Sequence, residues 1–282
     1  MQKQDRRKHI RDFMRKKLVF FIYIGDDTLP KDRVLRNGTA QVHFKCLSKY
    51  KDLFDEATFY LSCSDSVIDR KDVISAYMEY IMELGYTENT AFIVERNTYL
   101  RESKAFRKEI AESKDNDGKM VFFAHLRGEA YDNESMRKWV FSNYYFALEN
   151  MDEVLFWCGG ENKAFFGYPL TDCRSTKGRE WEIIPKFGFY FLGSIFWVNI
   201  TAMKESMRIL ETEIPPMFGR FYSENFPASV VNWERIATTR NFAACTGFYM
   251  YEQFNEFFDK WCSESGYEKE TFEKAYEEIM TA

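Results

Sequence analysis

The chain has 282 residues, of which 45% are hydrophobic and 18% aromatic, enough to fill a real core, so an intrinsically disordered protein is excluded. Its net charge of −5 excludes a general nucleic-acid binder, which needs a surplus of Lys and Arg to neutralise phosphates. Six scattered cysteines, with no CxxC or His-containing metal spacing, suggest neither a zinc site nor a disulfide framework.

Residues 1–17 form a basic leader holding eight Lys or Arg residues, with Ile10, Phe13 and Met14 interspersed. Such a segment suits either solvent or a peripheral contact with an anionic membrane face. Residues Lys17 to Gly25 then read as one continuous apolar run closed by Gly25-Asp26-Asp27, the pattern of a parallel strand buried on both faces. Its apolar part, Leu18 to Ile24, is too short to cross a membrane, so the chain is expected in the cytoplasm, with the leader able to hold it at the inner face of a membrane.

Helical spacing follows over Thr39–Asp55, a strand over Ala57–Cys63 ending in Ser64-Asp65, and a helix over Lys71–Leu84 capped by Gly85. A third strand is predicted over Ala91–Val94, a helix over Glu102–Ser113, a fourth strand over Met120–Ala124 and a helix over Met136–Asn150. This alternation predicts an α/β fold with an open, mostly parallel sheet flanked by helices. After Asn150 the pattern changes to short aromatic segments and a polar loop, read as an acceptor-holding half with mixed strands, completing a catalytic domain over 18–232. From Trp233 the chain reads as mainly helical, a C-terminal portion (233–282) packed on that domain. The apolar stripe of Tyr251–Trp261 is assigned to the core.

Open parallel sheets bind ligands outside the carboxyl ends of their strands. That rule selects Asp26 and Asp27, Asp65, Asn97, and the run His125-Leu126-Arg127-Gly128 as residues of one rim. Imidazole and guanidinium two residues apart on a strand share a face and suit a phosphate or sugar hydroxyls, and Gly128 permits close backbone approach. Asn97 leads through Arg101 and Glu102 into a helix, where Ser103 is read as either an N-cap or a ligand contact. The acidic triplet Asp115-Asn116-Asp117 lies at the amino end of its strand and is rejected as a metal site; Asp26-Asp27 is the better place for uracil, ribose or magnesium. Gly193, Phe196 and Trp197 are read as either a platform for stacking a sugar ring or core. Glu224, in the loop after Arg220, is read as a general base for an acceptor hydroxyl or as a salt-bridge partner of Arg220.

Three ordered segments also resemble a group of bacterial and viral glycosyltransferase-like proteins: Asn97 with Arg101-Glu102-Ser103, His125-Leu126-Arg127-Gly128 followed by Trp139, and Gly193-Ser194-Ile195-Phe196-Trp197 followed by Glu224-Asn225-Phe226. The resemblance implies a GT-A-like fold, a nucleotide-sugar donor and a saccharide or lipid-linked acceptor in the synthesis of a surface polysaccharide such as capsule or lipopolysaccharide. It implies donor-side roles for Asn97, Arg101, Glu102, Arg127 and Gly128, a donor-side catalytic role for His125, acceptor-side roles for Gly193, Phe196 and Trp197, and a catalytic role for Glu224; the strand-end rule adds Asp26, Asp27 and Asp65 on the donor side, and the loop position adds Arg220 on the acceptor side. Mn or Mg is the cofactor such an enzyme would use. In the absence of a metal, Arg127 and the helix start near Arg101 would stabilise the leaving diphosphate. Ser194, Ile195 and Val198 depart from the family pattern. A non-catalytic nucleotide- or carbohydrate-binding protein is the alternative, and an interaction protein using the basic leader and acidic tail is a third.

Overall fold

Strand β1 (Lys16–Ile24) is enclosed on both faces because its neighbours on each side are parallel strands with helices packed over them: Leu18, Val19, Phe20 and Ile22 have no exposed surface. A computed structural model describes residues 14–98, 102–126, 129, 132–160, 163–167, 170–172, 189–191, 195–206, 236–238 and 250–282. Within it β1 pairs in parallel with β2 (Glu56–Cys63) and with β4 (Met120–His125), and β2 pairs in parallel with β3 (Thr90–Arg96). Strand β8 (Phe196–Asn199) runs antiparallel beside β4 and β5 (Phe165–Gly167), and β5 pairs in parallel with β9 (Ile236–Thr238). The sheet order is β3-β2-β1-β4-β8-β5-β9, open, mostly parallel and mixed, as the alternation of elements predicts. A separate antiparallel pair joins β6 (Leu170–Asp172) to β7 (Phe189–Phe191).

The helices are α1 (Pro30–Arg36), α2 (Gly38–Tyr50), α3 (Lys71–Glu83), α4 (Glu102–Phe106), α5 (Glu134–Leu148), α6 (Met151–Val154), α7 (Ile200–Ser206), α8 (Met250–Ser265) and α9 (Lys269–Thr281). Among the described residues no helix is long and apolar enough to cross a membrane. Two boundaries follow directly from side chains: Asn37 and Asn133 accept hydrogen bonds from Ala40 N and Met136 N, each at 2.9 Å, and so start α2 and α5. At the end of α3, Gly85 adopts φ +102° and Tyr86 N reaches back to Ile81 O, the geometry for which a C-terminal glycine is selected.

The two faces of the sheet carry separate cores. On one, Phe20, Phe59, Phe122 and Trp197 pack under α2, α3 and α5, and the C-terminal helices join the same core through Phe254, Phe258, Phe272 and Tyr276. The Tyr251–Trp261 stripe therefore does face the core, with Phe254 and Phe258 buried. On the other, Val19, Phe21, Tyr60, Val121 and Phe123 pack under Phe106 and Ile110.

The structure corrects several local expectations. Lys16 and Lys17 belong to β1 and not to the basic leader, and α1 is a helix that the sequence pattern does not announce. The helix predicted over Thr39–Asp55 stops at Tyr50 in a tight turn over Lys51–Leu53. The one predicted over Glu102–Ser113 widens to a π-helix over Arg107–Ala111, marked by Glu112 N donating to Arg107 O at 2.8 Å. Ile236–Thr238, in the stretch expected to be mainly helical, is a strand too short to display a period.

Within the π turn, Glu109 reaches β1. Its carboxylate accepts from Lys17 Nζ at 2.8 Å and from Tyr60 OH at 2.7 Å, and Asn116 accepts from the same lysine at 3.2 Å. Burial alone would raise the Glu109 pKa, but these donors outweigh it and hold the carboxyl below its usual range. Removing one partner of a buried pair strands the other charge. Lys17→Met is therefore expected to lower the unfolding free energy by about 3–5 kcal/mol, and Lys17→Met/Glu109→Gln to recover part of that loss, both read from urea unfolding midpoints.

Candidate functional site

The order of the parallel strands reverses direction between β1 and β4, so the crevice outside their carboxyl ends is the topological switch point of the sheet. One wall is the turn after β1, Gly25 to Leu29, and the other holds Leu126, Glu129 and Asp132, the described residues between β4 and Asn133 at the start of α5. Strand register sets their heights. His125 pairs with Phe21, whereas β1 continues three residues further to Ile24, so His125 sits deeper than Asp26.

Side chains alternate along a strand, and this places His125 on the face that carries Phe123 and Phe21. Following the register across that face gives a polar level of Tyr23 on β1, Ser62 on β2 and Glu95 on β3, with Asn97 one step beyond and His125 on β4 one step lower, level with Phe21. The next row down is Phe21, Tyr60 and Ile93, with His125 at its β4 end and Phe123 one step further down. The face changes from apolar to polar at the carboxyl ends of four neighbouring strands.

The row is already organised. Ser62 Oγ donates to Asn97 Oδ1 at 3.1 Å, and Lys104 Nζ lies 2.6 Å from Glu95 Oε2. His125 and Ser62 are buried, at 6% and 1% exposure, while Tyr23 is 41% exposed at the mouth. Gly25 is required beside that ring, since a Cβ there would stand 2.9 Å from Tyr23. The hydroxyls of Thr98 and Ser103 are buried with no hydrogen-bond partner among the described residues. Ser103 is thus not the helix cap that its position suggests; it lies inside α4 with its hydroxyl unspent.

The acidic rim residues have local partners. Asp26 accepts from Thr28 N at 3.0 Å in a turn, and the Thr28 side-chain and backbone donors hold its carboxyl below the usual range. Asp27 lies 3.6 Å from Arg70, and Asp65 lies 2.6 Å from Arg96, both on exposed surface. Among the described residues no group of three or more His, Cys, Asp or Glu could hold a metal ion. The rejection of Asp115-Asn116-Asp117 agrees with its geometry: Asn116 is fully buried, donating to the Glu109 backbone and carboxylate, and Asp117 pairs with Lys204.

Phe196 and Trp197 do not form a stacking platform. Both are fully enclosed, and Trp197 Nε1 donates to Ala147 O at 2.8 Å, so neither ring offers a face to a sugar. The buried cysteines are not nucleophiles either, since burial pushes the thiols of Cys46 and Cys158 far up. Glu102 opens α4 near the row. Arg101, Arg127, Gly128, Gly193, Arg220 and Glu224 lie outside the described residues.

Tyr23, Ser62, Glu95 and Lys104 are not found by reading strand-end motifs. The period of two was the available signal, since stepping back from Asn97 gives Glu95 and stepping on from Phe21 gives Tyr23.

The segment after β4 is fixed at two points. Arg33 on α1 makes a forked ion pair with Glu129, with Nε donating to Oε1 at 2.6 Å, and Asn37 Nδ2 donates to Glu129 O at 2.9 Å. Burial would lower the Arg33 pKa, but the Glu129 carboxylate outweighs it and raises the value. Asp132 accepts from Gly38 N and Thr39 N at the start of α2, each at 2.9 Å, and from Arg137 Nε at 2.8 Å. Gly38 is needed because a Cβ would collide with the Arg137 guanidinium. The positive end of α2 is therefore filled by the protein's own carboxylate.

An open groove of about 330 Å³ lies at the opposite end of the sheet, between Lys51 and Thr90. Its lining includes Asp52, Asp55, Glu56 and Glu88 against Lys51, which disfavours an anionic ligand.

No protein-family model matches the chain, and no curated protein matches it. Among solved structures, the crystal structure of 4-diphosphocytidyl-2C-methyl-D-erythritolsynthase from Anaerococcus prevotii DSM 20548 is similar at TM-score 0.37 and 12% identity, covering 83% of this chain and 89% of that one. At that level the likeness adds nothing to what the sheet order itself establishes.

The Arg137 guanidinium, followed by the Gly38 and Thr39 donors, holds the Asp132 carboxyl down at about 2. The folded value lies below the unfolded one of about 3.9, so its contribution is complete above that pH and is lost as pH falls through about 2. Asp132→Asn is expected to destabilise the protein at pH 7. The gap to wild type should close as pH falls from about 4 towards 2, as measured by denaturant midpoints across a pH series.

Proposed function

We propose that the chain is a nucleotide-sugar-dependent glycosyltransferase that binds its donor along the polar face at the switch point. The observation that carries this reading is the polar set Tyr23, Ser62, Glu95 and Asn97, with His125 one register step lower, which spreads over one face of four parallel strands at their carboxyl ends. From β3 to β4 is three inter-strand steps, ~14 Å, a span that favours an elongated ligand over a compact one. Both walls of the row contain residues of the motifs that resemble glycosyltransferase-like proteins, Asn97 at one end and His125 at the other.

In this reading the Asn97 end, with Ser62 and the unspent Ser103 hydroxyl, receives the polar groups of the nucleoside. His125 and Arg127 face the diphosphate. An acceptor hydroxyl attacks the anomeric carbon as the bond from that carbon to the diphosphate oxygen breaks. The nucleotide diphosphate leaves with the bonding electrons, and Glu224 takes the hydroxyl proton. Arg127, with Arg101 at the helix start, stabilises the charge that develops on the leaving group. The described acidic residues do not assemble a site for Mn or Mg. The acceptor would be a saccharide or lipid-linked sugar of a capsule or lipopolysaccharide, with the basic N-terminal residues contributing contact with an anionic membrane face.

A thermal-shift panel of nucleoside diphosphates and sugar nucleotides, with and without manganese, tests the reading at the level of class. One uridine or guanosine diphosphate and its sugar should raise the melting temperature, because ligand bound to the native state adds to stability. With acceptor present that diphosphate should be released. His125→Ala and Glu224→Ala should each slow release by about 10²–10⁴-fold. Binding without turnover over a broad acceptor panel would instead indicate a non-catalytic nucleotide-binding protein.

A further inference from the structure

The guanidinium of Arg33 contacts three separate parts of the chain. Nε and Nη2 donate to the two carboxylate oxygens of Glu129, after β4. Nη1 donates to Tyr23 O at the end of β1, at 2.9 Å, and to Tyr77 OH on α3, at 3.1 Å. Tyr77 OH in turn donates to Thr28 O, at 3.2 Å, in the turn after β1. The Arg33 side chain is 16% exposed and that of Glu129 is 21% exposed, so the pair is largely shielded from solvent.

This arrangement spans the two walls of the switch-point crevice. Tyr23 and Thr28 belong to the β1 wall and Glu129 to the β4 wall. Helix α1 packs its Val34 against the core beneath α2, α3 and α5, so the span lies on that side of the sheet. The polar row lies on the opposite face. We propose that Arg33 is a positioning residue: its fork holds the segment after β4 against the end of β1, closes the α2/α3 side of the crevice, and leaves a ligand only the face that carries His125 and Asn97. The positional part stands on the contacts alone; the link to donor binding rests on the function proposed above.

The chemistry explains why arginine occupies the position. Two donors must meet the carboxylate side by side while a third nitrogen turns to a backbone carbonyl and a phenol. A lysine ammonium supplies a charge but cannot hold those four acceptors in one plane. Neutralising Glu129 would leave the guanidinium without its counter-charge, so the two substitutions attack the same contact from opposite sides.

Hydrogen exchange separates this contact from global stability. In Arg33→Lys and in Glu129→Gln, peptides covering residues 126–133 should exchange about ten to a hundred times faster than in wild type, while β1 peptides over residues 18–22 keep their rates. Unchanged exchange at 126–133, or equal acceleration in β1, overturns the positional claim. Tyr77→Phe, which removes one hydroxyl and keeps the ion pair, provides a milder variant should the others unfold; a smaller acceleration confined to 126–133 supports the claim, and none overturns it. The same variants are then titrated with the nucleotide diphosphate that stabilises wild type most. A Kd raised about tenfold or more in Arg33→Lys supports the positioning role, and an unchanged Kd despite faster loop exchange overturns it. If wild type binds no nucleotide at all, the proposed function fails and the exchange result still decides the role of Arg33.

Discussion

Everything else in this molecule is arranged around the two-sided burial of β1. A strand with parallel partners on both edges and helices over both faces can contain almost nothing but apolar side chains, and Leu18 to Ile22 meet that requirement. Parallel partners in turn require crossover connections that place helices on the faces, which supplies the covering layers. The connection that leaves β1 leads to β2 on one side, whereas β4, reached from β3, lies on the other side, so the chain leaves β1 and β4 in different directions above the sheet. The crevice follows from the path of the chain and not from a local motif.

The lower part of the sheet tolerates polarity only where it is fully paired, as in the Lys17–Glu109–Tyr60–Asn116 network, in which each charge or amide has an assigned partner. At the upper end the rule relaxes. Tyr23, Ser62 and Glu95 share one register level, with His125 one step below it and Asn97 one above, and two hydroxyls beside them, Thr98 and Ser103, are buried with no hydrogen-bond partner among the described residues. The Arg33 and Asp132 contacts fit the same division: both hold the chain at one side of the crevice using the protein's own anions.

Much of the fold was legible because its long elements carry strong periods. The four parallel strands and the helices following β2 and β4 stand within a few residues of where the pattern puts them, and Gly85 ends its helix as expected. What escaped was short or set by distant partners. Helix α1 has too few residues to show a stripe, β9 has only three, and the π turn at Arg107–Ala111 brings Glu109 to a lysine 92 residues away. Phe196 and Trp197 illustrate the same limit from the other side. An aromatic pair at a strand end looks identical in sequence whether it faces a ligand or a core, and here the antiparallel placement of β8 beside β4 encloses both.

The sequence by itself determined which segments are buried strands, that they alternate with helices, and therefore that ligands belong at one rim, because periodicity and strand-end polarity are local properties. It also singled out His125 and Asn97. Tertiary structure alone decided that these two lie on the same face, that Tyr23, Ser62 and Glu95 stand on that face one step above His125, that Asp27 and Asp65 face arginines, and that Glu129 is tied to Arg33. Those facts depend on strand order and register, which are fixed by contacts between residues far apart in the chain.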